Sequence, residues 1–249
     1  MHQEFLDFAV NLAHEAGVIM KKNFGLGTKK EWKSDVSPLT VTDTTINSLV
    51  IERVKHTYPE HSLLGEEESN IIEGAEYTWV CDPVDGTLPF SCGIPVFTFS
   101  LALTHSGVPI VGVIFDPMSD RLFTAVRGEG AFLNGEQIHV SSKDTLHAAI
   151  VDVSHTGVMA AFKEFKSKTT RFYCITYPSV LVACGEYDGT VYPGLNAWDV
   201  AAIKVIVEEA GGKVTDRNGT DQRYDGAVNW AVISNGTLHE KMIEITRKQ

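Results

Sequence analysis

The apolar positions change their period along the chain. Near the start Phe5, Phe8, Leu12, Ala16 and Ile19 recur every three to four residues, the spacing that lays one stripe along a helix. That pattern predicts a helix from Glu4 to Asn23, ended before Gly25. A second helix is predicted from Asp43, whose carboxylate could cap it, through Ile46, Leu49, Val50 and Val54 until Pro59 stops it. Between them "KKEWKSDVSPLTVTD" is too polar and broken to be either element in full. Short strand-like runs follow at His61–Leu64, Thr78–Cys81, Val96–Thr104, Val108–Asp116, Arg121–Val126 and Gly130–Leu133. "FSLALTHSGVPIVGVIFDP" reads as a hairpin turning at Ser106-Gly107.

Beyond about Val140 the units alternate. Ala149–Val153 reads as a strand, Gly157–Phe165 as a helix and Arg171–Ile175 as a strand. Trp198–Ala210 is a strong helix, Lys213–Thr215 and Val232–Ser234 are strands, and Leu238–Arg247 is a terminal helix. "EEAGGKV" fits a helix that ends on glycine and returns as a strand. The first part is therefore α+β and the second α/β. They divide near Val140–Ser142 into halves 1–140 and 141–249, with no linker, repeat or low-complexity tract between them. Two tightly packed halves are expected.

Composition adds limits. With 249 residues, 43% of them hydrophobic, the chain has ample core material. Its formal charge of -11 disfavours a nucleic-acid backbone or an anionic membrane as partner and suits cations better. No apolar run reaches membrane-spanning length, and "MHQEFLDFAVNLAHEAG" carries acids that a signal peptide lacks. A cytoplasmic location is expected. Cys81, Cys92, Cys174 and Cys184 show no CxxC spacing, so reduced thiols in or near the core are expected.

The candidate chemistry lies in four acidic patches: Asp43, the "GEEES" run with Glu66 and Glu67, Asp82 with Asp85 in "WVCDPVDGT", and Asp199 at the start of the Trp198 helix. If the strands around Leu64 and Cys81 are neighbours, Glu66, Asp82 and Asp85 meet at one sheet end. Their repulsion then calls for cations. Oxygen ligands without His or Cys select Mg²⁺ or Mn²⁺, and Ca²⁺ less readily. Pro83 stiffens the link between the two aspartates, and the Val84 carbonyl could serve as another ligand. Gly86 lets the backbone approach an anion, and a helix beginning at Thr87 would aim free N–H groups at it. Thr87 with Asp43 could then orient a water, which outlines two-metal phosphoryl hydrolysis. Each patch alone has a plainer reading as a capped turn, a solvated loop or a helix-start acid. The combination is harder to dismiss.

At these residues the chain resembles the inositol monophosphatase family, within the superfamily that includes fructose-1,6-bisphosphatases. "SPLTVTD", "LLGEEES", "WVCDPVDGT", "GEGAFLNGEQIHVS" and "NAWDVAAIKVIVEEAGG" occur in family order over nearly the whole length. The resemblance implies a layered αβαβα sandwich with the site between the halves. It implies Mg²⁺-dependent hydrolysis of a small phosphomonoester, without a phospho-enzyme, Li⁺ and Ca²⁺ as inhibitors, and a homodimer. By motif, Glu66, Asp82 and the Val84 carbonyl would hold a first ion, and Asp82, Asp85 and Asp199 a second. A weaker third would sit by Glu66, with Glu67 close by. Gly86 and Thr87 would bind phosphate through their N–H groups, and Thr87 with Asp43 would activate water.

The substrate is less legible. Inositol-specific members carry an acid seven positions before the W-D aspartate; here Tyr192 stands there, expected to face the leaving group. "YCITYPS" replaces the family's Gly-Ser-Ala stretch, and Leu88-Pro89 replaces Thr-Asn. "KSDVSPLTVTD" looks more like the nucleoside-bisphosphate and histidinol-phosphate branches. Lys33 in that stretch could sit near a mobile loop that closes the site, although lysines in such surroundings are commonly just solvated. Three substrate classes remain: polyol phosphates such as inositol phosphate, nucleoside 3′,5′-bisphosphates, and histidinol phosphate. A regulatory, protein-binding role is the alternative of another class. A degenerate regulator should have lost a ligand, and every matched position here is acidic.

Overall fold

A computed structural model describes residues 2–248. Helix α1 (His2–Asn23) buries Phe5, Ala9, Leu12, Ala13, Ala16, Gly17 and Met20 along one stripe. The polar stretch after it forms a small hairpin of β1 (Glu31–Trp32) and β2 (Pro38–Leu39). Helix α2 (Val41–Thr57) begins two residues before Asp43. Its cap is Thr40, and the Asp43 side chain accepts the Thr40 N–H in return. The expected Asp43 cap is thus corrected to a reciprocal capping box.

A seven-stranded sheet follows, ordered β3-β4-β5-β6-β7-β8-β9. Its strands are β3 (Ser62–Gly65), β4 (Tyr77–Asp85), β5 (Thr98–His105), β6 (Val108–Asp116), β7 (Arg121–Val126), β8 (Gly130–Leu133) and β9 (Glu136–Gln137). β3 pairs parallel with β4 and the remaining neighbours are antiparallel. The β5–β6 hairpin turns at Ser106 and Gly107, both with positive φ (52° and 80°), the twist-matched geometry of a tight hairpin. β4 runs beyond its expected end, through both aspartates, to the short helix α3 (Thr87–Ser91). "VFTFSLAL" supplies a buried central strand.

The second sheet is ordered β11-β10-β12-β14-β13. It comprises β10 (Ile150–Val153), β11 (Lys168–Thr170), β12 (Gly189–Tyr192), β13 (Lys213–Thr215) and β14 (Ala231–Ser234). Around it lie α4 (Thr156–Glu164), α5 (Thr176–Ala183), α6 (Ala201–Glu209) and α7 (His239–Arg247). The strand expected at Arg171–Ile175 is a correction: pairing ends at Thr170, Tyr173 turns with φ 57°, and α5 follows. Pro178 sits in the first turn of α5, where its missing N–H costs nothing. Helix α6 also begins later than expected. Trp198 to Val200 form a turn in which the Val200 N–H reaches the Ala197 carbonyl at 3.0 Å.

Three cores fill the four interfaces between five layers, the second core lying on both sides of its helices. Phe5, Leu12 and Met20 pack with Trp79, Phe99, Leu101 and Phe115 between α1–α2 and one face of the first sheet. Val80, Ala102, Ile114 and Phe123 on the other face meet Val180, Ile203 and Val207 of α5 and α6, which also cover Val214 and Ile233 of the second sheet. Val151, Val153 and Val232 pack with Phe162 of α4 and Met242 of α7. The order is αβαβα. At about 1.5–3 kcal/mol for each fully buried large apolar side chain, these cores hold the helix, strand and turns that carry the acids. Among the described residues the four cysteines are free, two buried, but Cys92 is exposed, a correction to its expected burial. No helix among the described residues is long and apolar enough to cross a membrane.

Candidate active site

The acids converge where the end of β4 meets the start of α5 and the turn before α6. Parallel pairing sets Leu64 beside Val80 and Gly65 beside Cys81, so Glu66 leaves β3 where Asp82 ends the regular part of β4. The register of β4 slips between Asp82 and Asp85. Pro83 cannot donate to a ladder, and the Val84 N–H instead reaches Asp82 Oδ1 at 2.9 Å. The bulge turns both aspartates to one side. Asp82, Asp85 and Asp199 each offer an oxygen, all within 4.8 Å of one another.

Burial makes this crowd costly. Asp43, Asp82 and Asp85 are 0%, 2% and 6% exposed. Burial first, then Glu66, Asp85 and Asp199, pushes the Asp82 carboxyl well above the usual range. Burial followed by Asp85 carries Asp199 up to about 8, and burial lifts Glu66 to about 7. Glu67 and Asp43 are also raised, chiefly by burial. Asp82 and Asp199 are raised by burial and neighbouring acids, with no cationic side chain acting to lower them, so a counter-charge would favour their ionised forms. The donors are all hard oxygens, so a divalent cation such as Mg²⁺ fits the cluster, and Asp82, Asp85 and Asp199 could hold it.

One positive charge reaches the edge. Lys33, between β1 and β2, places Nζ 2.9 Å from Glu66 Oε1 and 2.6 Å from Glu67 Oε1. Burial works against its charge, but these two acids prevail and raise its pKa. The solvated Lys33 expected from its surroundings is corrected: it is an ion-pair partner.

Gly86 adopts φ 91°, and a Cβ there would lie 2.7 Å from the Val96 carbonyl and 3.1 Å from Cys174 Cβ. Only glycine fits this turn. It starts α3, whose first N–H groups have no partner within the helix. The Thr87 hydroxyl lies 3.0 Å from Asp43 Oδ1 and 2.9 Å from the Val84 carbonyl. Its one hydrogen is thereby held on the protein side, which leaves the oxygen's lone pairs as acceptors for water. The Val84 carbonyl keeps a second lone pair for a ligand role.

Two site features differ from the sequence reading. Asp199 belongs to the turn before α6, not to the helix itself. Tyr192, expected to face a leaving group, donates its hydroxyl to Asp199 Oδ2. Sequence reasoning also missed the support of Asp85. Its oxygens accept the Ile175 N–H at 3.2 Å, the Thr176 N–H at 2.6 Å and the Cys174 thiol at 3.0 Å. Pro178, marking the first turn of a helix, was the signal that could have placed Thr176 at an N-terminus.

Fold and site together define an α/β protein with a cluster of acids that could hold a cation beside a glycine turn at a helix start. The inositol monophosphatase family model matches residues 1–249. An inositol monophosphatase of Mesembryanthemum crystallinum is 36% identical, covering 97% of this chain and 95% of that protein. A histidinol-phosphatase of Mycobacterium tuberculosis is 33% identical and covers 98% of each chain. The solved inositol monophosphatase of Thermotoga maritima superposes with a TM-score of 0.88 at 27% identity, covering 98% of this chain and 97% of that one. The chain belongs to the inositol monophosphatase family, and its activity class is phosphoric monoester hydrolysis.

Proposed function

We propose that this chain is a Mg²⁺-dependent phosphatase for a small phosphorylated metabolite, using water as the nucleophile. The observation that carries the reading is the placement of the Asp82–Asp85–Asp199 oxygens beside the Asp43–Thr87 pair. Glu66, Asp82 and the Val84 carbonyl would hold one ion, and Asp82, Asp85 and Asp199 another, with Glu67 near a weaker third. Bound divalent cations supply charge neutralisation and Lewis acidity at a phosphoryl group.

The remaining work falls to the chain. The Gly86 and Thr87 N–H groups receive phosphoryl oxygens. Thr87 Oγ1, its hydrogen held by Asp43 and Val84, accepts a hydrogen bond from water and aims that water at phosphorus. The water oxygen bonds to phosphorus as the bond from phosphorus to the ester oxygen breaks, and one of the water's protons ends on that oxygen, giving an alcohol and inorganic phosphate. No side chain needs to be phosphorylated.

The same reading includes a cytoplasmic homodimer of two halves, 1–140 and 141–249. Polyol phosphates, nucleoside bisphosphates and histidinol phosphate stay as substrate classes, because an inositol monophosphatase and a histidinol-phosphatase resemble the chain about equally. The test is phosphate release with Mg²⁺ from one substrate of each class and from fructose 1,6-bisphosphate, with EDTA and Asp85→Asn controls. A lead of about a hundredfold in kcat/KM, near 2.7 kcal/mol, names the substrate. Absence of metal-dependent release from all four leaves the fold standing and moves the reading to an untested ester or a binding role.

A further inference from the structure

Asp199 is the one member of the close carboxylate trio that no regular element positions. Asp82 and Asp85 lie on β4, whereas Asp199 sits in a turn at the end of the 193–198 loop. That loop is tied down by its backbone: the Trp230 N–H reaches the Gly194 carbonyl at 3.0 Å and the Val228 N–H reaches the Leu195 carbonyl at 2.9 Å. The Asn196 side chain that approaches the Asp199 carboxylate belongs to the same loop, and neither backbone bond orients that carboxylate.

Tyr192 does. It is the last residue of β12, paired opposite Ala231 of β14, so its backbone is fixed by the sheet. From there its ring passes directly over Gly194: a Cβ at that glycine would fall 1.9 Å from both Cζ and the hydroxyl oxygen. The hydroxyl ends on Asp199 Oδ2. We propose that Tyr192 is a positioning residue for the second cation site, a strut from the sheet that occupies Asp199 Oδ2 and presents Oδ1 to the ion. Gly194 is the space the strut requires.

This proposal rests on the cation-dependent reading above and assigns Tyr192 a task different from contact with the leaving group. A donor behind a metal-ligating carboxylate fixes its rotamer, and losing such a partner typically costs about 10–100-fold in metal affinity or activity.

The experiment titrates Mg²⁺ calorimetrically into wild type, Tyr192→Phe and Gly194→Ala, with metal-free melting curves and steady-state kinetics alongside. Tyr192→Phe removes only the hydroxyl, while Gly194→Ala displaces the ring and keeps it. Both are expected to weaken the Mg²⁺ binding step by about tenfold or more. kcat should fall in parallel, KM for substrate should stay within about twofold, and Tyr192→Phe should melt near wild type. Mg²⁺ affinity within twofold of wild type in both variants overturns the proposal, even if their melting temperatures drop. Wild type that neither takes up Mg²⁺ nor releases phosphate removes the cation-dependent reading itself, and the proposal with it.

Discussion

Asp43 Oδ1 and the Thr87 hydroxyl meet at 3.0 Å across 44 positions of sequence, while Asp43 Oδ2 accepts the Thr40 N–H at 2.9 Å. One oxygen caps α2 and the other faces the site. The division sets what an amide would do at this position. In Asp43→Asn the cap demands an acceptor toward Thr40, so the carbonyl goes there and the NH₂ faces Thr87. There it donates to the Thr87 oxygen, whose hydrogen turns to the Val84 carbonyl, and it takes a lone pair that the water would use. Expected is a fall in kcat of about a hundredfold or more, typical of losing a general acid–base partner, with α2 and the melting temperature largely preserved. Activity within threefold of wild type in the folded variant would sink the Asp43–Thr87 assignment.

Asp85 couples metal chemistry to the contact between the halves, because Ile175 and Thr176 donate their N–H groups to it from the start of α5. Asp85→Asn removes a charge from the cation centre and turns an NH₂ toward one of those donors. Turnover should fall by orders of magnitude. The buried mismatch should also cost about 1–3 kcal/mol of stability. Kinetics and urea unfolding measured together check both effects. Near-normal turnover refutes the ligand role.

Much of the architecture was readable because its periods were clean. Val108–Asp116, Arg121–Val126 and Gly130–Leu133 have the expected bounds, each being a short apolar run closed by turn residues. Legibility failed where a tertiary contact outweighed local pattern. Lys168–Thr170 is polar and becomes a strand because it pairs with Ile150–Asp152. Thr176–Ala183 reads apolar on every side, as a helix packed between two sheets must. At the site, the acids were legible from their crowding, which calls for counter-charge. The groups that orient them were not. Tyr192 and Thr176 carry no charge to be explained, and their partners lie seven and 91 positions away.

Lys33 holds the place where the cluster is short of positive charge. Its ammonium pairs with both Glu66 and Glu67, whose side chains are only 20% and 10% exposed. Lys33→Met should therefore destabilise the metal-free protein, which keeps two half-buried carboxylates without that partner. It should also free Glu66 for Mg²⁺. Both effects enlarge the rise in melting temperature caused by saturating Mg²⁺. An extra rise of about 3 °C, corresponding to roughly 1 kcal/mol in a chain of this size, is expected by differential scanning calorimetry. An unchanged Mg²⁺-induced rise would show that the pair carries no weight.

Away from the acidic cluster, a buried histidine links β13, β14 and α7. His239, 0% exposed, shares hydrogen bonds of 2.8 Å with Thr215 and with Ser234. Burial, then the nearby Lys213, hold its pKa down at about 4. An unfolded histidine titrates near 6.5, so between about pH 4 and 6.5 the unfolded chain binds the extra proton. Stability then rises with pH through that window and is lost as pH falls through it, by at most about 3 kcal/mol. Asp152 works oppositely: burial lifts it to about 6, so the folded state keeps its proton and loses stability as pH rises toward 6. The two contributions overlap, and a single pH profile would not separate them. A difference does: His239→Gln leaves Asp152 in place and removes the titrating imidazole. Urea unfolding of both proteins from pH 4 to 7 should give a flatter acid limb for the variant, by up to one proton. Parallel limbs would mean that His239 takes up its proton in the folded state as readily as in the unfolded one.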